Sequence, residues 1–219
     1  MTKARYICFE GTEGVGKTTQ TEALVNFLKD KGYKVLQTKE PGTPLSPLTM
    51  ELRNIMLNAK YEEEITPHAR ELVSQAIRSV HIRNVVVPAL DNYDFIIQDR
   101  GILSGLAYGA ACGNEPHLLG FLASLHGFDD NQGKDVYKMY DDVIYLKGNV
   151  EAGLETAKNS KQEFEAGDAM EARGLSFMEE VSDNMDNYSK LFNTKAIDVN
   201  GKGIEEVFNE ILSVLDISN

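Results

Sequence analysis

Residues Gly11-Thr12-Glu13-Gly14-Val15-Gly16-Lys17-Thr18 satisfy the pattern G-x-x-x-x-G-K-[ST], and they stand between an apolar run, Tyr6-Ile7-Cys8-Phe9, and a helix-like segment. Such a loop turns successive backbone N–H groups inward onto phosphate oxygens. The glycines at 11, 14 and 16 permit that conformation and the close approach of the ligand. Lys17 is placed to neutralise β- and γ-phosphates and Thr18 to hold Mg²⁺ through its hydroxyl. Thr19 continues into a helix whose positive end adds to the anion site. The spacing therefore predicts a strand, a phosphate loop and a helix in direct succession, with a bound nucleoside triphosphate.

The rest of the chain repeats the alternation. After Leu24, Phe27 and Leu28 at helical spacing, Lys31-Gly32 closes the first helix, and Val35-Leu36 opens a second strand that ends at Lys39-Glu40-Pro41-Gly42. A long helix is expected from Pro67 toward Val87, with Leu72, Val73, Ala76, Ile77 and Val80 as its apolar stripe and Pro88 at its far end. Asp94 to Gln98 reads as a third strand that delivers Asp99-Arg100 to the edge carrying the phosphate loop. Val143 to Leu146 and Ala196-Ile197 read as two more strands. Alternating β and α elements imply a parallel sheet covered on both faces, a three-layer α/β fold. The polar stretch from Lys158 to Arg173 interrupts the alternation as a lid or a solvated loop.

With 219 residues the chain suits a single domain over 1–219. Lys and Arg total 22 against 34 for Asp and Glu, a net charge of −12, which argues against broad binding to nucleic acid and for small-molecule nucleotides. Cys8 and Cys112 lie far apart and imply neither zinc site nor disulfide framework, and the four histidines lack metal-ligand spacing. No stretch has the uncharged length of a membrane span and the N-terminus runs straight into a strand, so a cytoplasmic protein without membrane contact is expected.

Taken together, the motifs resemble the thymidylate kinase family over most of the chain. Phe9 to Gln20, with an acidic residue inside the loop at Glu13, is similar to the family's opening. Lys39-Glu40-Pro41-Gly42-Thr43 resembles its E-P-G-G-T loop, and Glu51-Leu52-Arg53 the segment whose arginine holds the acceptor's phosphate. Arg78-Ser79-Val80-His81 matches an R-x-x-H on the substrate-side helix, and Asp99-Arg100 with Ser104, Ala107 and Tyr108 fits D-R-x-x-x-S-x-x-A-Y. Gly153-Leu154 resembles the approach to the family's lid, here about 156–173, and Ile197-Asp198 the adenine-side loop.

The resemblance implies a P-loop kinase fold, a homodimer, and Mg²⁺-dependent transfer of the ATP γ-phosphate to a deoxynucleoside 5′-monophosphate, with dTMP the leading acceptor. Lys17 and Arg100 are the leading catalytic cations; Asp99 would orient Mg²⁺ with Thr18, or simply pair with Arg100. Arg53 would fork onto the acceptor's phosphate, or serve as a helix-surface charge. By resemblance, Glu13 contacts the sugar's 3′-hydroxyl, Arg78 the base, and Tyr108 the space near the 2′ position, where its ring would disfavour ribonucleotides.

Several positions depart from the family. Ser74 stands where an aromatic stacks on thymine, a contact worth about 1–3 kcal/mol per base in nucleic-acid complexes. Gly109 stands where some members carry glutamine, Gly101 follows Asp-Arg, and Gly42 lacks the second glycine of its loop. Lid arginines are replaced by Thr156, Ser160 and Ala169, which leaves Lys158, Lys161 and Arg173 as candidate lid cations or as a solvated charge run. The rival acceptor is another or modified pyrimidine deoxynucleotide. The rivals of other kinds are a nucleotide-gated ATPase or switch without an acceptor, which has no use for Glu13, Arg78 and Tyr108, and a catalytically weak nucleotide-binding protein.

Overall fold

The computed structural model describes residues 3–126, 139–158, 168–192 and 194–217. Five parallel strands, β1 (Arg5–Glu10), β2 (Val35–Lys39), β3 (Phe95–Asp99), β4 (Asp142–Lys147) and β5 (Thr194–Asp198), form one sheet in the order β2-β3-β1-β4-β5. Strand β1 pairs with both β3 and β4, in registers that align Phe9 with Asp99 and Glu10 with Tyr145. The carboxyl ends of all the strands therefore share one edge, and the phosphate loop leaves the central strand at the crevice where α/β sheets bind ligands.

Side chains along β1 alternate between two cores. Ile7 and Phe9, with Ile97, Ile144 and Leu146, pack on Leu24, Val25 and Leu28 of α1 (Lys17–Asp30) and on Val207, Ile211 and Leu212 of α9 (Ile204–Val214). Tyr6 and Cys8, with Ile96, Val143 and Tyr145, face the opposite layer. There they meet α3 (Pro67–His81), α5 (Ile102–Ala111) and α8 (Leu175–Tyr188), through Ile77, Leu103, Leu106, Met178, Val181 and Met185. Strands buried on both faces read as continuous apolar runs, and each fully buried Ile, Leu or Phe contributes about 1.5–3 kcal/mol. The remaining helices are α2 (Pro47–Leu57), α4 (Val87–Leu90), α6 (Pro116–Ser124) and α7 (Val150–Lys158). Cys8 and Cys112 are buried free thiols.

Helix α3 differs from its expected form in two ways. Only part of its sequence stripe faces the core: Ile77 is buried and half-buried Val73 packs on the same cluster, but Leu72 is 58% exposed and Ala76 is exposed, and Arg70, Glu71, Gln75, Arg78 and His81 are buried in their stead. The polar face can go inside because it is hydrogen-bonded there, chiefly to Glu40, Glu62 and the carbonyl of Met56. The helical run does end at Pro88-Ala89-Leu90, but it does not reach there as one regular helix. A π-helical turn, Ile82–Val86, carries the chain into α4, where Pro88 occupies a first-turn position that needs no N–H donor.

Candidate active site

Helix α1 starts on Gly16, whose φ of 89° lies in the left-handed region, and no side chain caps its first turn. Helix α3, by contrast, is capped by Thr66, whose hydroxyl accepts from the Ala69 N–H at 3.2 Å. The uncapped N–H groups of α1 are left for an anion. Gly14, at φ 69°, lies so close to α7 that a Cβ there would meet the carbonyl oxygen of Gly153 at 2.1 Å. Val15 is buried in the α1/α9 core, which ties the loop down, while Thr18 and Thr19 are exposed on the first turn.

Lys17 is buried and donates to the carbonyl of Thr12 at 2.5 Å across the loop. Burial and the neighbouring Arg100 lower its ammonium to about 8, against the pull of Glu13, Asp99 and Glu10. Thr18 Oγ1 donates to Asp99 Oδ2 at 2.7 Å, and the other Asp99 oxygen, Oδ1, is buried without a partner. A buried carboxylate oxygen lacking a donor beside a hydroxyl is a chemical fit for a hard cation that also takes phosphate and water oxygens, as Mg²⁺ does.

Arg100 connects the loop to α5. It follows β3 in the left-handed region (φ 62°), which costs a non-glycine residue about 1–2 kcal/mol. Its backbone is held on both sides: its N–H donates to the Phe9 carbonyl at 2.8 Å, and its own carbonyl accepts from Gln98 Nε2 at 2.8 Å. So fixed, the guanidinium donates to the Gly11 carbonyl (2.9 Å), to Ser104 Oγ (3.2 Å) and to Glu13 Oε1 (2.6 Å). Tyr108 donates to the same Glu13 oxygen at 3.1 Å and lies with its ring 5.5 Å from the guanidinium carbon. Burial favours a neutral Glu13, but Arg100 and Lys17 outweigh it and hold the carboxyl at about 2. Ser104 in turn donates its backbone N–H to buried Glu10 at 3.2 Å.

The structure thus gathers Lys17, Thr18, Asp99, Arg100, Glu13, Ser104 and Tyr108 into one connected cluster. Arg53 lies at the adjoining loop, where its Nη1 donates to the Pro41 carbonyl at 2.9 Å and its stem lies against Gly42. Arg78 is held by Glu40 (3.0 Å), Gln75 (3.1 Å) and the Gly101 carbonyl (3.3 Å), while His81 lies 3.0 Å from the second Glu40 oxygen. Burial would raise the Glu40 carboxyl, yet Arg78 and His81 bring it down to about 2. Ser74 is half-buried on the same helix.

Arg173, on the 3₁₀ turn Glu171–Arg173, is not drawn to the phosphate loop. Its guanidinium pairs with Glu62 at 2.5 Å and covers the Phe177 ring at 5.0 Å. Lys161 and Ser160 lie outside the described residues, as does the Lys158 side chain. Sequence reasoning passed over Glu71 and Gln75, since charged and amide residues on a helix read as a solvated face. The signal was available in their spacing from Arg78, which puts all three on one side of α3, where Gly105 and Gly109 of α5 lie against Arg78 and Glu71.

A family model described as thymidylate kinase matches residues 9–211. A thymidylate kinase of Caldicellulosiruptor saccharolyticus is 30% identical over 216 residues, which cover 98% of this chain and 97% of that protein. One of Francisella tularensis subsp. holarctica is 32% identical over 216 residues, covering 98% and 96%. Among solved structures, the thymidylate kinase of Ehrlichia chaffeensis shares the fold with a TM-score of 0.70 over 97% of this chain and 98% of its own, at 22% identity. This chain belongs to the thymidylate kinase family of phosphotransferases.

Proposed function

We propose that the chain transfers the γ-phosphate of ATP to the 5′-phosphate of dTMP, with release of ADP. The carrying observation is Arg100, which spans from the phosphate loop at Gly11 and Glu13 to Ser104 on α5 and so joins donor and acceptor sides through one fixed cation. Phosphoryl transfer is mostly positioning and neutralisation of charge. Loop residues 11–19 bind the donor's phosphates, Lys17 balances the β- and γ-groups, and Arg100 holds the acceptor phosphate or the transferring group in line. An acceptor oxygen forms the new bond to phosphorus as the bridging β–γ bond breaks, and ADP leaves with the electron pair.

Thr18 and Asp99 would hold Mg²⁺, which when bound would supply positive charge against the negative charge of the transferring phosphates. Glu13, ionised across the working pH range, accepts from the sugar's 3′-hydroxyl. The Tyr108 ring fills the space a 2′-hydroxyl would need, and Arg53 and Arg78 serve the acceptor's phosphate and base.

The same reading takes 1–219 as one domain with a lid at about 156–173 that supplies Lys158, Lys161 and Arg173; for Arg173 this requires leaving Glu62. Leu48 and Ile55, exposed seven residues apart on α2, and exposed Leu72 on α3 suit a homodimer. Two free buried thiols suit a reducing cytoplasm, and no described helix is long and apolar enough to cross a membrane. The test is ADP release against a panel of deoxy- and ribonucleoside monophosphates. Release that depends on dTMP and is at least tenfold slower with ribothymidine monophosphate is expected. Release indifferent to any acceptor would instead indicate an ATPase or switch.

A further inference from the structure

On the buried side of α3, Arg78 donates to Gln75 Oε1, and Gln75 Nε2 donates to Glu71 Oε1, so guanidinium, amide and carboxyl form one hydrogen-bonded row. Glu71 is 4% exposed. Across the seam, α5 offers no side chains against the ends of this row. A Cβ at Gly105 would stand 2.6 Å from Arg78 Nη2, and one at Gly109 would stand 2.7 Å from Glu71 Oε2. Glu71, together with Leu119, therefore reaches into space that any side chain at position 109 would occupy, one helical turn from half-buried Ser74.

We propose that Glu71 is a specificity-determining residue of the acceptor pocket, which extends the chain's range to pyrimidine deoxynucleotides bearing a hydrogen-bond donor on the C4–C5 edge. The proposal rests on the kinase reading above and deepens it. Arg78 has only donors and suits a base carbonyl, whereas Glu71 Oε2 is an acceptor. Thymine offers that oxygen a methyl group, which desolvates it without pairing it. An exocyclic amino or hydroxymethyl group pairs with it directly, and leaving a buried acceptor unpaired is the more costly alternative. Burial pushes the Glu71 carboxyl upward, against the pull of the Gln75 amide and of Arg78.

The test is steady-state kinetics of the intact protein with dTMP, dCMP and 5-hydroxymethyl-dUMP, for wild type, Glu71→Met and Glu71→Gln. Wild type should use at least one of the two donor-bearing acceptors with kcat/KM no worse than a third of that for dTMP. The identity of the better one tells whether the donor sits at C4 or C5. Glu71→Met, which keeps length and removes the acceptor, should lower that ratio at least tenfold. Glu71→Gln, which retains an acceptor oxygen, should hold it within threefold.

A wild type that uses both donor-bearing acceptors less than a third as well as dTMP overturns the proposal, whatever the variants do. So does an equal fall for all acceptors in Glu71→Met, the mark of a merely structural carboxyl. In both cases dTMP turnover leaves the kinase reading standing. Absence of ADP release with every acceptor overturns both.

Discussion

On the sheet face covered by α1 and α9, β1 contributes Ile7 and Phe9 and packs on Leu24, Val25 and Leu28. On the other face, the same strand contributes Tyr6, Cys8 and Glu10. There, Tyr6 donates to buried Gln98, which supports the Arg100 carbonyl, and Glu10 receives the N–H of Ser104. The first face is held by burial of apolar area, which tolerates changes of similar volume. The second depends on complete pairing of buried polar groups, in which one missing partner leaves another stranded. The candidate active-site cluster grows from the second face, and the conformation of Arg100 is its clearest product.

The largest effect should come from removing Arg100 or Lys17. Arg100→Ala and Lys17→Ala should each lower turnover by about 10³-fold or more with folding retained, as judged by ADP release and thermal unfolding. Activity within tenfold of wild type for either would detach the polar face from catalysis.

Next in size, Glu40→Gln should cost about 3–5 kcal/mol in urea unfolding, because Arg78 stays buried without its counter-charge. Leu28→Ala on the apolar face should cost about 2–5 kcal/mol through its cavity while sparing kcat/KM. If Glu40→Gln also spares kcat/KM, the contrast between the faces is one of stability alone. Acid sharpens the comparison. Glu40 is depressed from an ordinary 4.5 to about 2, so its share of stability is present above pH 4.5 and is lost as pH falls toward 2. Wild type should therefore lose more stability than Glu40→Gln over that range.

The smallest effect is on ATP affinity. With Lys17 at about 8 in the free protein, binding of a non-hydrolysable ATP analogue should weaken as pH rises through 8, by at most about tenfold per unit. Bound phosphate favours the ammonium, so proton uptake should accompany binding at pH 9, measurable by calorimetry in two buffers. A flat profile from pH 7 to 9 would mean that Lys17 is not the residue that meets the phosphates.

Much of this arrangement is visible in the residues before any coordinates. The loop from Gly11 to Thr18 announces itself because phosphate binding demands glycines and a lysine at set positions, and the apolar strand runs locate the sheet. Helix α3 is legible only in part, through Ile77 and Val73, because apolar periodicity assigns the inside by composition. Here tertiary pairing of Arg78 with Glu40, and of Arg70 with Glu62, puts the polar side inward. Pro88 marks the end of the helical run, but a sequence does not display the π turn that leads into it. Glu71 went unnoticed for want of its partner: its meaning comes from the absence of a side chain at Gly109, on another helix.

The contact between Gly14 and Gly153 has a mechanical corollary. The two backbones touch with no side chain between them, so neither compliance nor slip is available at that point. A tilt of α7 toward the loop presses directly on Glu13 and Gly14, and a loop pushed toward α7 presses back. The junction behaves like a stop: it carries a push from either side, and the least displacement of one backbone toward the other is met at once.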